Sequence, residues 1–316
     1  MKNRGVWRFV GIAGGLFAWS IAHGQVSEKA WDEVYQKCAK ALRSADVAEA
    51  RTQCTRAVEM SEKLTPKDIP LAQSLLNLGT FYTKTARFAE AEKAYLRASK
   101  IVDGLPEKNS ILVALAAGNI GQLYTEAERY DEAEPFLKRA LEIDKTLLGP
   151  DSPDLATDLN NLGLLYVKQK KYALSEGFLL KALRIYEKAY GADHPELMET
   201  LNNLGTVYYG QGKKKQALAT FKRVLSIREK TLPPNHPEIA ESLNNLATFY
   251  KDEGNYKEAV PLYIRCIEIV EKTEGSNSPH AATVMFHLAE ILKKTGREKA
   301  GAEMEQKAAA ILTTKR

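Results

Sequence analysis

The sequence predicts an all-α protein, an α-solenoid of about seven antiparallel helix pairs. Three observations carry that prediction. The first is a repeated phrase. Leu159-Asn160-Asn161-Leu162-Gly163 returns as Leu201-Asn202-Asn203-Leu204-Gly205 and as Leu243-Asn244-Asn245-Leu246-Ala247, 42 residues later each time. Stepping back by the same interval reaches Asn119-Ile120-Gly121 and Asn77-Leu78-Gly79, and stepping forward reaches His287-Leu288-Ala289, so six copies stand in register. A fixed period of this size marks an array of stacked repeats. The second observation is the spacing inside a copy: Leu155, Leu159, Leu162 and Tyr166 follow at steps of four, three and four. Those steps trace one face of an α-helix and not the alternation of a strand. The third is the recurrence of small residues. Gly79, Gly121, Gly163 and Gly205 occupy one slot, and Ala91, Ala133, Ser175, Ala217 and Ala259 another. Glycine costs roughly 1 kcal/mol inside a helix, so its return at one position argues for two helix axes in close approach.

The chain begins differently. Lys2, Arg4 and Arg8 precede an apolar run, Phe9 to Ala22, and Ala22-His23-Gly24 places small residues where an export signal is cut. The expectation is a signal peptide over residues 1–24, with export to the periplasm of a Gram-negative bacterium or secretion. An uncleaved anchor is the alternative, although the run is short against the roughly 20 residues of a membrane span. Three of the five net positive charges belong to this segment. What remains is nearly neutral, which argues against a nucleic-acid binder with its basic face. No membrane span is expected after cleavage.

Residues 25–68 read as a divergent first repeat, and 69–316 as six further repeats forming one domain. In the first repeat Asp46 and Glu49 make a capping-box pattern. Cys38 and Cys54 flank the turn at Arg43 to Asp46, so two antiparallel helices would bring them together, and a disulfide in an oxidising compartment is the hypothesis. Cys266 fills the slot of Ala98, Ala140 and Ala182 and is read as a small buried residue. In later repeats Pro153, Pro195, Pro237 and Pro279 sit where a first helix begins, at a position whose N–H has no helical partner. Asp154, Glu196 and Glu238 follow them, at the positive end of the helix. Second helices open at Phe88, Tyr130, Tyr172 and Tyr256 and end near Gly149, Gly191 and Gly275. The last copy departs from the pattern at His287, Leu292 and Gly301, as a terminal repeat does when it closes an array.

Leu-Gly, Tyr three residues on, then the small-residue slots together resemble the tetratricopeptide repeat. The 42-residue period, the Leu-Asn-Asn-Leu-Gly box and the His194-Pro195 and His236-Pro237 joints are similar to its kinesin light chain type. The resemblance covers roughly residues 69–313. It implies a right-handed superhelix whose first helices line a concave groove.

Catalytic chemistry is not legible. His194 and His236 are joint residues. His280 and His287 lie seven apart with no carboxylate or cysteine at metal-ligand spacing. No HExxH, phosphate loop or nucleophile elbow is present in the sequence. The expectation is a protein that is not an enzyme, without cofactor or metal. The candidate partner-binding residues are Asn77, Asn119, Asn161, Asn203 and Asn245 in one column and Asn160, Asn202 and Asn244 in a second. The resemblance places both columns at the groove, where a primary amide can pair with the N–H and C=O of an extended peptide. The other reading is that they bridge adjacent helices. The row Thr80, Gln122, Leu164, Thr206 and Thr248 lacks the asparagine of the family's carboxylate-clamp members, which argues against capture of a chain terminus. The expected function is a scaffold or adaptor holding a peptide or partner protein. A self-associating array, or an enzyme with a hidden groove site, stand as alternatives.

Overall fold

A computed structural model describes residues 26–44, 46–107 and 110–313. The export-type segment 1–24 lies outside the described residues. Every regular element among those described is helical, fourteen α-helices and one 3-10 turn. The chain divides between Ala189 and Tyr190 into two compact units.

The N-terminal unit holds α1 (Glu28–Arg43), α2 (Val47–Ser61), α3 (Asp68–Lys84), α4 (Phe88–Gly104), α5 (Ile111–Glu126), α6 (Tyr130–Leu148), α7 (Pro153–Lys168) and α8 (Tyr172–Tyr190). The C-terminal unit holds α9 (Met198–Gly210), α10 (Lys214–Thr231), α11 (Pro237–Asp252), α12 (Tyr256–Glu274), α13 (Pro279–Lys294) and α14 (Glu298–Thr313). Odd-numbered helices are first helices and even-numbered ones second helices. Within each unit the helices pack on their sequence neighbours, and α1, α3, α5 and α7 also touch in succession. That is the contact pattern of stacked hairpins.

The starts and stops are local chemistry. Ser152 and Ser278 cap α7 and α13 with Pro153 and Pro279 directly inside. His194 and His236 do the same work through the ring: each Nδ1 accepts from the backbone N–H two residues on, at 3.3 Å. The joint histidines are helix caps. At His194 the helix enters through a 3-10 turn, Pro195–Leu197, before α9 begins, a tighter entry than the proline spacing alone suggests. Asp46 Oδ1 accepts from the Glu49 N–H at 3.0 Å and starts α2.

One turn element escaped the sequence reading. The residue closing each first helix is left-handed in six successive repeats: Ala86, Glu128 and Lys170, then Gly212, Gly254 and Gly296, with φ between 58° and 77°. Left-handed backbone at a helix end satisfies its last carbonyls. The three side-chain-bearing members accept a conformation that glycine adopts without steric cost.

The small-residue slots meet as expected. A Cβ on Gly163 would stand 2.5 Å from Leu179 Cδ2, and one on Gly205 would stand 2.5 Å from a ring carbon of Phe221. At Gly121 the intruded atoms include the Leu137 backbone nitrogen, 3.0 Å away, as well as its side chain. The partner is always sixteen residues on, on the second helix of the same repeat. Ala91, Ala133, Ser175, Ala217 and Ala259 are fully buried at the companion slot.

The first repeat is stapled. A Cys38–Cys54 disulfide joins α1 to α2 with both residues fully buried. Trp31 stacks on Tyr35 and donates from Nε1 to Ser74 Oγ of the next repeat at 2.9 Å.

Two outcomes follow from this packing. Gly121→Ala should destabilise the N-terminal unit by about 1–2 kcal/mol in denaturant unfolding, because overpacking of about 1–3 kcal/mol outweighs the roughly 1 kcal/mol gained in helix propensity. An unchanged midpoint would show that α5 and α6 can separate freely. Reducing Cys38–Cys54, or replacing both with Ser, should remove about 3 kcal/mol of local stability, the loop-closure value for a loop of this size. Hydrogen exchange should then speed up in α1 and α2 while α5 keeps its protection.

Candidate functional site

The two asparagine columns fall on the first helices, where the period places them, but the structure does not treat their members alike. In the N-terminal unit Asn77, Asn119, Asn160 and Asn161 are all buried, at 3% exposure or less. Asn77 is hydrogen-bonded through its side chain to Tyr35, on the first helix of the preceding repeat. That pair is the bridging role, found in one member of the column. It also leaves the Asn77 Nδ2 without a partner.

Next to them, Gln122 is 2% exposed, and neither its amide nitrogen nor its amide oxygen has a hydrogen-bond partner among the described residues. A buried primary amide left so costs on the order of 1–3 kcal/mol. Leu76, Thr80, Leu115, Thr125 and Leu164 on α3, α5 and α7 are likewise buried.

In the C-terminal unit Asn203 is fully buried, whereas Asn202, Asn244 and Asn245 stay half-exposed on α9 and α11. Beside them the side chains are larger and charged. Tyr209 is exposed and donates from its hydroxyl to Asp252 at 2.9 Å. Partial burial, reinforced by the bond to that carboxylate, pushes the Tyr209 phenol up to about 12. Lys251 pairs with Glu290 at 2.9 Å, and Lys294 reaches the other oxygen of the same carboxylate at 2.7 Å. These two ammonium groups hold Glu290 down at about 2. His287, half-buried against the Tyr263 ring, has its basicity lowered by burial and then by Lys251.

Tyr209 and Lys251 are site residues the sequence reading missed. Both lie seven residues beyond an amide of the second column, two helical turns along the same face. Counting seven forward from Asn202 and Asn244 would have found them. Tyr209 was hidden behind the repeated Tyr208.

Among the described residues no group of three or more His, Cys, Asp and Glu side chains is placed to hold a metal ion, and no helix is long and apolar enough to cross a membrane. Cys266 is buried, its thiol pushed up to about 12 by that burial. His280 pairs with Glu274 at 3.1 Å beside the cap of α13. The C-terminal unit presents amides, a phenol and paired charges on its first helices.

Comparison with known proteins agrees on the architecture. The chain is similar in fold to BtubC from P. vanneervenii, at 22% identity and a TM-score of 0.59, over 78% of this chain and 93% of that one. It is likewise similar to a kinesin light chain-like repeat protein of Podosopora anserina, at 22% identity and 0.57, over 64% and 95%. The type IV pilus biogenesis factor PilW matches at 18% identity and 0.57, over 82% of this chain and all of that one. No curated protein sequence matches the chain. The model of the tetratricopeptide repeat matches residues 70–146, 112–188, 159–230 and 238–314. With helix pairs, register and small-residue slots in agreement, the chain belongs to the tetratricopeptide repeat family.

Proposed function

We propose that this chain is a non-catalytic scaffold that holds a partner protein or an extended peptide against its first helices. The observation that carries the reading is the open amide row Asn202, Asn244 and Asn245. Each amide offers two donors and an acceptor. First helices stacked about 10 Å apart would meet an extended chain, rising about 3.3 Å per residue, at every third residue. Tyr209, Lys251 and Glu290 flank the row and supply chemistry that selects among partners.

Tetratricopeptide repeats generally serve as protein–protein interaction scaffolds, and this family membership supports the reading. We further infer that the protein works in the periplasm or outside the cell. The basic and apolar segment 1–24 supports this, as does the Cys38–Cys54 disulfide, a bond that persists in oxidising compartments.

The two asparagine roles separate by experiment. Replacing Asn202, Asn244 and Asn245 together with Ala should leave helicity and the unfolding midpoint nearly unchanged. Proteins that the wild-type chain captures from periplasmic extract should then bind at least about tenfold more weakly, because three lost hydrogen bonds are worth about 1 kcal/mol each. Equal capture by the variant would overturn the reading. Asn161→Ala and Asn203→Ala should instead lower stability, by about 1–3 kcal/mol each, since both are buried polar groups.

A further inference from the structure

Every histidine among the described residues lies in the C-terminal unit: His194, His236, His280 and His287. Three of them are held in a form that a proton would undo. His194 caps the 3-10 entry to α9 and His236 caps α11, each Nδ1 accepting from the N–H of Glu196 or Glu238 at 3.3 Å. A neutral imidazole nitrogen can accept, whereas both nitrogens of an imidazolium donate. A proton at Nδ1 therefore removes the acceptor and sets a positive charge at the positive end of the helix. The backbone at both joints is also wound more tightly than elsewhere. Leu197 and Ile239 bond back three residues, to the carbonyls of His194 and His236 at 3.1 and 3.0 Å. The serine-capped α7 and α13 begin with four-residue bonds instead, Ala156 to Ser152 and Ala282 to Ser278.

The third, His287, stands in the slot that Asn245 fills one repeat earlier. Its ring lies against Tyr263, its Nδ1 is buried without a hydrogen-bond partner, and Lys251 is a charged neighbour. A second positive charge there would meet that ammonium in half-buried surroundings. The carboxylates near these rings are already engaged. Beside His287, Glu290 is shared by Lys251 and Lys294, and Asp252 takes the Tyr209 hydroxyl. Beside His236, Arg228 of α10 reaches Glu238 at 3.4 Å and Glu241 at 3.3 Å. Beside His194, whose ring stacks on Tyr190, Lys230 holds Asp193 at 2.6 Å and Glu196 stands in solvent. His280 is the exception, since its pairing with Glu274 at 3.1 Å favours the charged ring. The side-chain caps of the N-terminal unit are Ser27, Asp46, Ser110 and Ser152, oxygen acceptors that mild acid leaves in place.

We propose that the C-terminal unit is an acid-responsive module: proton uptake by His194, His236 and His287 loosens α9, α11 and α13 and releases what their first-helix face holds, while the N-terminal unit keeps its packing. The sign follows from linkage. A group that the fold keeps neutral binds more protons once the fold lets it go, so stability falls as the pH drops through the range where imidazoles charge, between about pH 8 and 5. The release rests on the amide row of α9 and α11 being the binding face, whereas the loosening does not.

Hydrogen exchange of the full chain at about pH 7.5 and about pH 5.5, compared as protection factors, tests it. Amides of α9 and α11 should lose about tenfold protection or more in acid, tenfold being the effect of displacing one proton equilibrium by a pH unit, while α5 changes by less than about twofold. His194→Ser and His236→Ser supply the cap that α7 and α13 use, and His287→Asn supplies the residue of Asn245. Together they should keep protection at the higher pH and remove the response to acid. His236→Ser alone should remove it in α11, should the triple variant fold poorly. Equal protection at the two pH values would overturn the proposal. A triple variant that loosens as the wild type does would also overturn it, since carboxylates would then carry the effect. Proteins captured from periplasmic extract at the higher pH should dissociate at least about tenfold faster at the lower. Unchanged dissociation alongside loosened helices would overturn the release. No capture at either pH would instead remove the amide-row reading and leave the loosening standing.

Discussion

The contact on which the molecule depends is the approach of each first helix to its own second helix at a residue without a side chain. Gly79, Gly121, Gly163 and Gly205 admit Tyr95, Leu137, Leu179 and Phe221 to within the distance a Cβ would need. That single approach sets the separation of the two axes and so the tilt at which one hairpin lies on the next. Within each unit, repetition of the slot lets neighbouring hairpins bury a shared core. Ala247 and Ala289 fill the slot at the C-terminal end, where Tyr263 stands opposite the first of them.

Around this contact the repeats are tied in sequence by polar links that also recur. Tyr124 donates to Glu92 and Tyr166 to Glu134, each at 2.9 Å and each thirty-two residues apart. Arg129 joins the first of these by pairing with Glu92 while lying over the Tyr124 ring. On successive second helices, Arg97–Glu62, Arg139–Asp103, Lys230–Asp193 and Lys307–Glu271 form exposed pairs at similar offsets. Exposed pairs are worth little individually. Their service is register, since a slipped hairpin would place like charges together. One cation departs from the pattern: Arg228, nearly buried, bonds the Glu238 carbonyl and Ser242 Oγ at 2.7 Å and ties α10 to α11.

The candidate site was partly legible. The columns could be assigned to first helices because a 42-residue period and a 3.6-residue helix leave no freedom about which face an asparagine shares with its copies. Which asparagines are open to a partner could not be read that way. Asn160, Asn202 and Asn244 stand in the same phrase of the same repeat, yet the first is fully buried and the others are not. Likewise only Asn77 has Tyr35 of the preceding repeat as its hydrogen-bond partner. Identity of motif does not carry identity of environment.

By itself the sequence determined the helical class, the helix starts at Pro153, Pro237 and Pro279, the second-helix starts at Phe88, Tyr130, Tyr172 and Tyr256, and the slots where axes meet. These are consequences of spacing and of backbone chemistry within a few residues, and such local terms are written in the order of the chain. Tertiary structure decided the left-handed closures at Ala86, Glu128 and Lys170, the pairing that holds Glu290 between two lysines, and the burial of Asn160 where Asn202 and Asn244 stay partly open. Those depend on what lies across from a residue in space. Burial of a polar group is a property of its non-local neighbours, and no period in the sequence records it.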